Sequence, residues 1–311
     1  MFGFFFIASV LFAGQETTFR ADLQLVTLPF SVIDADGNLV QNLKQEDFKL
    51  FDNGKQVPIK QFWQDVDMPL TIAFVTDISG SQRRVVEKHR RNIGQFLRQV
   101  LGPQDRATLV TVAAQVRLQQ EFTPSADVLQ ESVDSIRPGR QPGLRLDEPC
   151  TNEKRLGRLP CGGSIIWNAV FYTARLKLNP EVGRKAIVLL TDGEDTGSDH
   201  SLSHAIEAAQ GADAVVFPIQ ERAGAASRNR GKSKRDLNKL ASETGGVLFD
   251  GNKKSPDYIF TEIEKELRSQ YVLAFTPAVE SRDGKFHKLE VRVTKPKMKT
   301  RARSGYYAPK N

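Results

Sequence analysis

Two carboxylates and three hydroxyl groups of this sequence are spaced so that one metal ion could bind them together. These side chains are Asp77, Ser79, Ser81, Ser164 and Asp192. Each aspartate comes directly after a short apolar run of the kind that forms a buried parallel strand. In an open α/β sheet, ligands bind beyond the carboxyl ends of the strands, so we expect the five side chains to meet at one edge of a sheet.

An all-oxygen set of this kind favours a hard cation. It suits Mg²⁺ first, with Ca²⁺ and Mn²⁺ as alternatives, and an outside carboxylate can replace one of the waters that fill the open positions. Glu194 and Asp195 come next in the chain and are expected either to orient such waters or to face solvent in a turn. A purely structural interpretation stays open, in which Asp77 and Ser79 cap a helix and Asp192 lies in a plain turn.

The elements that must position these residues alternate between apolar strands and amphipathic helices over residues 69–268. This alternation predicts an α/β fold, an open and mostly parallel sheet with helices on both faces. Residues 22–66 and 269–309 instead have strand periodicity and tight turns such as Asp36-Gly37. The α/β unit is therefore predicted to be inserted in a small β unit that both ends of the chain form together, with 269–309 packing against 22–66.

A loop rich in glycine, proline and charged residues is predicted over 139–163. It contains the two cysteines of the chain, Cys150 and Cys161. In an oxidising compartment we expect them to form a disulfide bond, and two buried thiols are the alternative. Because the loop ends beside Ser164, we expect it to influence which partner is bound.

The N-terminus indicates export. Residues 1–14 form an apolar run that is short for a membrane span and typical of a signal peptide. We therefore expect the protein in the periplasm, at the cell surface or outside the cell. An uncleaved anchor or a buried strand is the alternative for this segment.

The charge of the chain is concentrated near its C-terminus. Of 311 residues, 44 are basic and 37 acidic, and the net charge is +7. Residues 282–303 contain nine basic and two acidic side chains, which accounts for the whole surplus. A uniformly basic nucleic-acid binder is therefore a poor description, and no nucleic acid is expected as a partner. The segment is expected either to contact an anionic surface or to keep strand edges from aggregating.

Two further patterns suggest rival chemistry. Residues 226–233 fit a permissive phosphate-loop pattern, which would make the chain an ATPase with Lys232 on the phosphates, but Ala226 stands where a glycine is needed for the tight turn. His200 and His204 are spaced to bind zinc on one helix face, yet no suitable third ligand is near in sequence. We therefore expect a binding protein and not an enzyme.

The oxygen-rich residues resemble the metal-ion-dependent adhesion site (MIDAS) of von Willebrand factor A (VWFA) domains. The matching parts are the Asp-x-Ser-x-Ser series, a Gly-Gly-Ser where the family usually has Gly-Gly-Thr, and Thr191-Asp192-Gly193. Other segments are similar to the acidobacterial branch of VWFA-related proteins, and the resemblance covers nearly the whole chain after the leader. These segments are residues 36–54, 267–273, 283–291 and 305–309.

The resemblance implies a Rossmann-like VWFA domain that binds a protein ligand through its metal. Asp77, Ser79 and Ser81 match the first loop of the site, Ser164 the second and Asp192 the third. An acidic side chain of the partner would complete the coordination shell. The alternative is a structural or assembly component of the cell envelope in which the metal mainly stabilises the fold.

Overall fold

The computed structural model describes residues 25–64, 68–83, 85–137, 142–148, 163–222, 230–278 and 283–308. The predicted signal peptide, both cysteines and most of the predicted loop 139–163 lie outside these residues. Export and the disulfide bond therefore stay predictions. Within the described ranges, no helix has the length and apolar character that crossing a membrane requires.

Strands and helices follow one another as the sequence periodicity predicts. In the described residues the strands are β1 (Val26–Ile33), β2 (Phe48–Asp52), β3 (Lys55–Val57), β4 (Gln61–Gln64), β5 (Leu70–Asp77), β6 (Arg106–Val112), β7 (Val116–Thr123), β8 (Leu144–Arg145), β9 (Arg184–Thr191), β10 (Ala214–Gln220), β11 (Phe249–Asp250), β12 (Tyr271–Phe275), β13 (Phe286–Val293), β14 (Lys299–Ala302) and β15 (Gly305–Tyr307). The α-helices are α1 (Val86–Val100), α2 (Ala126–Ser135), α3 (Ile166–Tyr172), α4 (Leu202–Gly211), α5 (Arg230–Thr244) and α6 (Pro256–Arg268). Short 3₁₀ turns occupy Gln45–Asp47 and Gly80–Gln82.

The central sheet has seven strands in the order β11-β10-β9-β5-β6-β7-β8. The first five are parallel, and β7 and β8 add an antiparallel edge. Strand β8 lies inside the predicted loop 139–163, where Leu144 pairs with Leu118 of β7. Two residues are too few to give a strand periodicity, so sequence reasoning could not find this strand.

Helices cover both faces of the central sheet. On one face, Ile72 and Phe74 of β5 share a buried core with α1, α2 and α6. On the other face, Ala73 and Val75 of the same strand pack with α3, α4 and α5. Successive residues of β5 are thus buried on opposite sides, which explains its continuous apolar run. The predicted open, mostly parallel α/β fold is confirmed.

Both ends of the chain form a β unit of two antiparallel sheets. Their orders are β14-β1-β12-β4 and β15-β13-β2-β3, so each sheet combines strands from before and after the α/β unit. The two sheets share one core, in which Phe30 stacks on Tyr271 with ring centroids 5.5 Å apart. The insertion of the α/β unit into a β unit is therefore as predicted.

The helical stretch over residues 166–178 changes its hydrogen bonding part of the way along. After α3 the chain continues as a π-helical segment, Thr173–Leu178. The Asn179 N–H then donates to the carbonyl of Ala174, five residues earlier, at 2.8 Å. A π-helix keeps a helical hydrophobic pattern over so short a stretch, so sequence periodicity could not reveal this change.

Arg303 joins the β unit to the α/β unit. Its side chain is 8% exposed. The guanidinium donates to the carbonyl of Thr27 in the β unit at 2.7 Å and to the carbonyl of Gln210 in the α/β unit at 2.9 Å. It also pairs with the carboxylate of Asp213. One buried side chain thus satisfies carbonyl groups on both sides of the junction.

We expect Arg303→Met to lower the free energy of unfolding by about 2 kcal/mol or more, because two carbonyls lose their donor. Urea unfolding followed by fluorescence measures this change. The control is Arg292→Met, which removes an exposed arginine of the same β unit and should leave stability nearly unchanged. Equal losses in the two variants would contradict the role of Arg303.

Candidate metal centre

Asp77 and Asp192 lie at the carboxyl ends of neighbouring strands. Asp77 is the last residue of β5 and Asp192 follows β9. The strand order reverses here, since β6 lies on one side of β5 while β9 and β10 lie on the other. Such a switch point leaves a crevice where ligands bind in open α/β sheets. The pairing of Thr76 with Leu190 sets the register, so that both aspartates reach this crevice.

Asp77 is fully buried and held by neutral donors. Its Oδ1 accepts the N–H of Ser79 at 2.9 Å. Its Oδ2 accepts the hydroxyls of Ser164, at 3.1 Å, and Thr191, at 2.9 Å. Burial raises the pKa of Asp77 and the charge of Asp192 raises it further, against the lowering effect of the hydrogen bonds from Ser79 and Thr191. The structure thus brings Asp77, Ser164 and Asp192 into one group.

Asp192 is also held through both carboxylate oxygens. Oδ1 accepts the N–H of Glu194 at 2.9 Å, and Oδ2 accepts the Nε2–H of Gln82 at 2.8 Å. Gln82 is completely buried and comes directly after Ser81. The sequence does not indicate this role of Gln82, because no local pattern shows that its amide contacts a loop more than a hundred residues away.

The turn before α3 places the hydroxyl of Ser164. The N–H of Ser164 donates to the hydroxyl of Thr196 at 2.9 Å, and its carbonyl accepts the N–H of Thr196 at 2.9 Å. Gly163 has a φ of +89°, and a Cβ on this residue would lie 2.2 Å from the Thr196 hydroxyl oxygen. Only glycine fits here, which explains the glycine ahead of Ser164.

The remaining predicted site residues lie on the same two loops. Ser79 precedes the 3₁₀ turn Gly80–Gln82, and Ser81 lies in that turn with its side chain outside the described part. Burial raises the pKa of Glu194, and the charge of Asp192 adds to the effect. Asp195 accepts the N–H of Trp167 at 3.2 Å, so it ties the loop after β9 to the first turn of α3.

This donor set fits a hard divalent cation. Asp77 and Asp192 form no ion pair with any lysine, arginine or histidine among the described residues, and their hydrogen-bond donors are neutral. Two neighbouring buried carboxylates without a counter-charge are costly, and one divalent ion balances both. Across the same described ranges, no group of three or more His, Cys, Asp or Glu residues is arranged to hold a metal. Any ion bound here therefore needs ligands other than these four residue types, and the serine hydroxyls of the same loops are the candidates.

The buried side chain of Glu221 pairs with basic groups close to the two aspartates, and Gln82 links the Glu221 carbonyl to Asp192. The carboxylate of Glu221, which is 1% exposed, lies 2.9 Å from the Nζ of Lys88 and 3.0 Å from the Nε2 of His89. The Nδ1 of His89 lies 3.1 Å from the hydroxyl oxygen of Thr76. Burial alone would raise the pKa of Glu221, but hydrogen bonds and charges from His89 and Lys88 outweigh it and hold the pKa below 4.5.

The rival patterns occupy other elements. Gly231, Lys232 and Ser233 lie in the first turn of α5, and the phosphate-loop residues before 230 are outside the described part. His200 comes two residues before α4, and its ring lies 5.8 Å from that of His204. Neither pattern is tested further by the structure.

Much of the basic segment 282–303 is paired with carboxylates. Its ion pairs are Lys285–Asp283, Arg292–Glu290, Lys295–Asp47, Arg301–Glu266 and Arg303–Asp213. Contact of this segment with an anionic surface stays a prediction.

We expect Glu221→Gln to destabilise the protein at neutral pH and to matter less in acid. A carboxylate whose pKa is lower in the folded state stabilises the fold above the unfolded value, here 4.5, and this contribution is lost as the pH falls through the folded value. Unfolding free energies from about pH 7 to pH 3 should therefore show the variant converging on the parent protein.

The control for this prediction is Glu87→Gln, which breaks an exposed pair with Arg90 on the same helix. The unfolding free energy of this control should change with pH in parallel with that of the parent protein over the same pH range. A Glu221→Gln curve that also stays parallel would contradict the ionised state of Glu221.

No family profile and no curated protein matches this sequence. Several solved structures do. An aerotolerance-related membrane protein from Bacteroides fragilis NCTC 9343, with multiple mutations to serine, is 17% identical with a TM-score of 0.47, covering 64% of this chain and 98% of that chain. BatB from Bacteroides thetaiotaomicron is 18% identical with a TM-score of 0.45, covering 64% of this chain and 100% of that chain.

Proximal thread matrix protein 1 from the mussel byssus, in a structure with a zinc-occupied MIDAS motif, is 18% identical with a TM-score of 0.50. The match covers 70% of this chain and 49% of that chain. Identity this low shows a shared fold alone, and a place in the acidobacterial branch stays a prediction. The strand order and the helices on both faces agree with this likeness. The chain thus has the Rossmann-like α/β fold of von Willebrand factor A domains, as its sequence predicts.

Proposed function

We propose that this chain binds a protein partner through a divalent ion, and that Mg²⁺ is the preferred ion. Asp77 and Asp192 would hold the ion together with the hydroxyls of Ser79, Ser81 and Ser164. The proposal rests on one observation, the pair of buried carboxylates at the switch point. Among the described residues, these carboxylates accept hydrogen bonds only from neutral donors. The ion supplies positive charge for an acidic side chain of the partner.

The choice of metal follows from the ligands. Zinc sites in proteins are built mainly from cysteine and histidine, whereas carboxylates and hydroxyls without either suit Mg²⁺, with Ca²⁺ and Mn²⁺ as alternatives. The mussel protein holds zinc in its MIDAS motif, which supports the idea that this fold can accommodate a divalent ion. Ser164 stands where threonine is usual in such sites, so the hydroxyl is kept while the methyl group that stiffens it is lost.

A binding role is proposed rather than catalysis. Both oxygens of Asp77 and of Asp192 accept hydrogen bonds, so these carboxylates are fixed as acceptors and are poorly placed to exchange protons with a substrate. Export of the protein, guided by residues 1–14, is part of the proposal because an adhesion module acts where partners meet its surface.

Removal of the metal separates adhesion from a structural role in the cell envelope. The full chain is immobilised and exposed to an envelope extract in Mg²⁺ or in EDTA, and its melting curve is recorded in both solutions. We expect EDTA to abolish partner capture while the chain stays folded. Unchanged capture with only a lower melting temperature would favour the structural role and contradict adhesion.

Asp77→Asn keeps the shape of the side chain and removes one of the two charges. We expect Mg²⁺ affinity, measured by titration calorimetry, to fall by about a hundredfold or more, since even indirect metal contacts are worth ten- to hundredfold. Asp36→Asn, in an exposed turn, is the matched control and should bind like the parent protein. Tight Mg²⁺ binding by Asp77→Asn would rule out this site.

Gln82→Met removes the amide that donates to Asp192 and fills the same buried space with a side chain of similar size. We expect about tenfold weaker Mg²⁺ binding, the usual effect of losing a group that orients a ligand. Gln210→Met is the control, because Gln210 is also a buried amide but donates to the carbonyl of Glu243 and the hydroxyl of Ser304 instead. If both variants lose stability but neither loses affinity, Gln82 is only structural.

A further inference from the structure

A cleft of about 530 Å³ lies between α3 with its π-helical continuation on one side and α4 with the loop before it on the other, and Tyr307 of β15 also lines it. Phe171, Arg175 and Asn179 line one wall at intervals of four residues, and His200 and His204 repeat that interval on the other. Side chains four apart share one face of a helix, as on the first wall, whereas His200 belongs to the loop that leads into α4. Its volume is that of a site for a small molecule.

The second wall of the cleft carries small residues. Ala208 and Gly211 of α4 line it, and a Cβ built on Gly211 would meet no atom within 4 Å. The empty space therefore reaches the backbone of the helix. Gly211 has no positive φ, so a larger side chain could be placed there without backbone strain.

Arg175 brings a positive charge to the cleft, and among the described residues it forms no ion pair, although Glu207 lines the same cleft. Its guanidinium lies 5.8 Å from the centre of the Phe171 ring and the side chain is exposed. Arg175 belongs to the π-helical segment Thr173–Leu178, a rare form that occurs frequently at functional sites. Asn179, directly after this segment, adds a side-chain amide to the same wall.

Aromatic contacts fix the directions of the rings in the cleft. The ring of His200 stacks on Phe171 with centroids 3.7 Å apart and an angle of 16° between planes. The ring of His204 stands edge-on to His200. The acid of the cleft, Glu207, accepts a hydrogen bond from the Tyr307 hydroxyl, and burial followed by the charge of Glu207 raises the pKa of Tyr307.

We propose that this cleft binds a small organic carboxylate. The fork of the Arg175 guanidinium matches a carboxylate with two parallel hydrogen bonds. The side-chain amide of Asn179 supplies a further donor, and Phe171 and Ala208 contact the apolar part of the ligand. The cleft shares no side chain with the proposed metal site, so this binding goes beyond the proposed function and does not depend on it.

Benzoate and inorganic phosphate are suitable probes, titrated separately into the full chain and followed by NMR. We expect benzoate to bind in the cleft and phosphate to bind more weakly, because phosphate lacks an apolar part. No binding of benzoate, or tighter binding of phosphate, would overturn the assignment.

Two variants test the location. Arg175→Gln should weaken benzoate binding roughly ten- to hundredfold, the loss expected for a charge-assisted pair of hydrogen bonds. Gly211→Leu should block binding by filling the cleft. If Gly211→Leu fails to fold, Arg175→Gln, at an exposed position, still decides the matter.

Lys177→Gln is the matched control. Lys177 lies in the same π-helical segment but pairs with Glu121 at 2.6 Å, outside the cleft, so benzoate affinity should not change. Asp77→Asn should also leave benzoate binding intact, which separates this site from the metal site. Equal affinity in Arg175→Gln and the parent protein would overturn the proposal.

Discussion

Two carboxylates buried side by side at the switch point of the sheet are the constraint on which the rest of this structure depends. Asp77 is fully buried and Asp192 nearly so. Their repulsion is offset only in part by neutral donors, and a divalent ion is the simplest counter-charge. The strand order, with β5 between β6 and β9, is what forces the two side chains into one crevice.

The side chains around these carboxylates donate hydrogen bonds to them and so fix their orientation. Thr191 and Ser164 donate to Asp77, and Gln82 donates to Asp192. Next to them, the buried carboxylate of Glu221 pairs with Lys88 and lies 3.0 Å from the Nε2 of His89. Neither basic side chain forms an ion pair with Asp77 or Asp192 in the described residues, so the charge of the two aspartates is left for another group to balance, as a metal site requires.

The sequence predicted the parts of this arrangement that depend on local order. An aspartate directly after an apolar run is expected at the end of a buried strand, so the positions of Asp77 and Asp192 followed from the order of residues alone. Gln82 and Glu221 could not be assigned in this way, because their roles arise from contacts between distant segments. The π-helical turn around Arg175 was likewise hidden, since a shift of one hydrogen bond leaves hydrophobic periodicity almost unchanged.

The most direct test of the central claim is the melting temperature of the EDTA-stripped full chain as Mg²⁺ is added. An ion that binds only the folded state must raise the melting temperature progressively with its concentration. The account predicts such a rise, with none in NaCl of the same ionic strength. A melting temperature that does not respond to Mg²⁺, or that rises equally in NaCl, would contradict a divalent ion between Asp77 and Asp192.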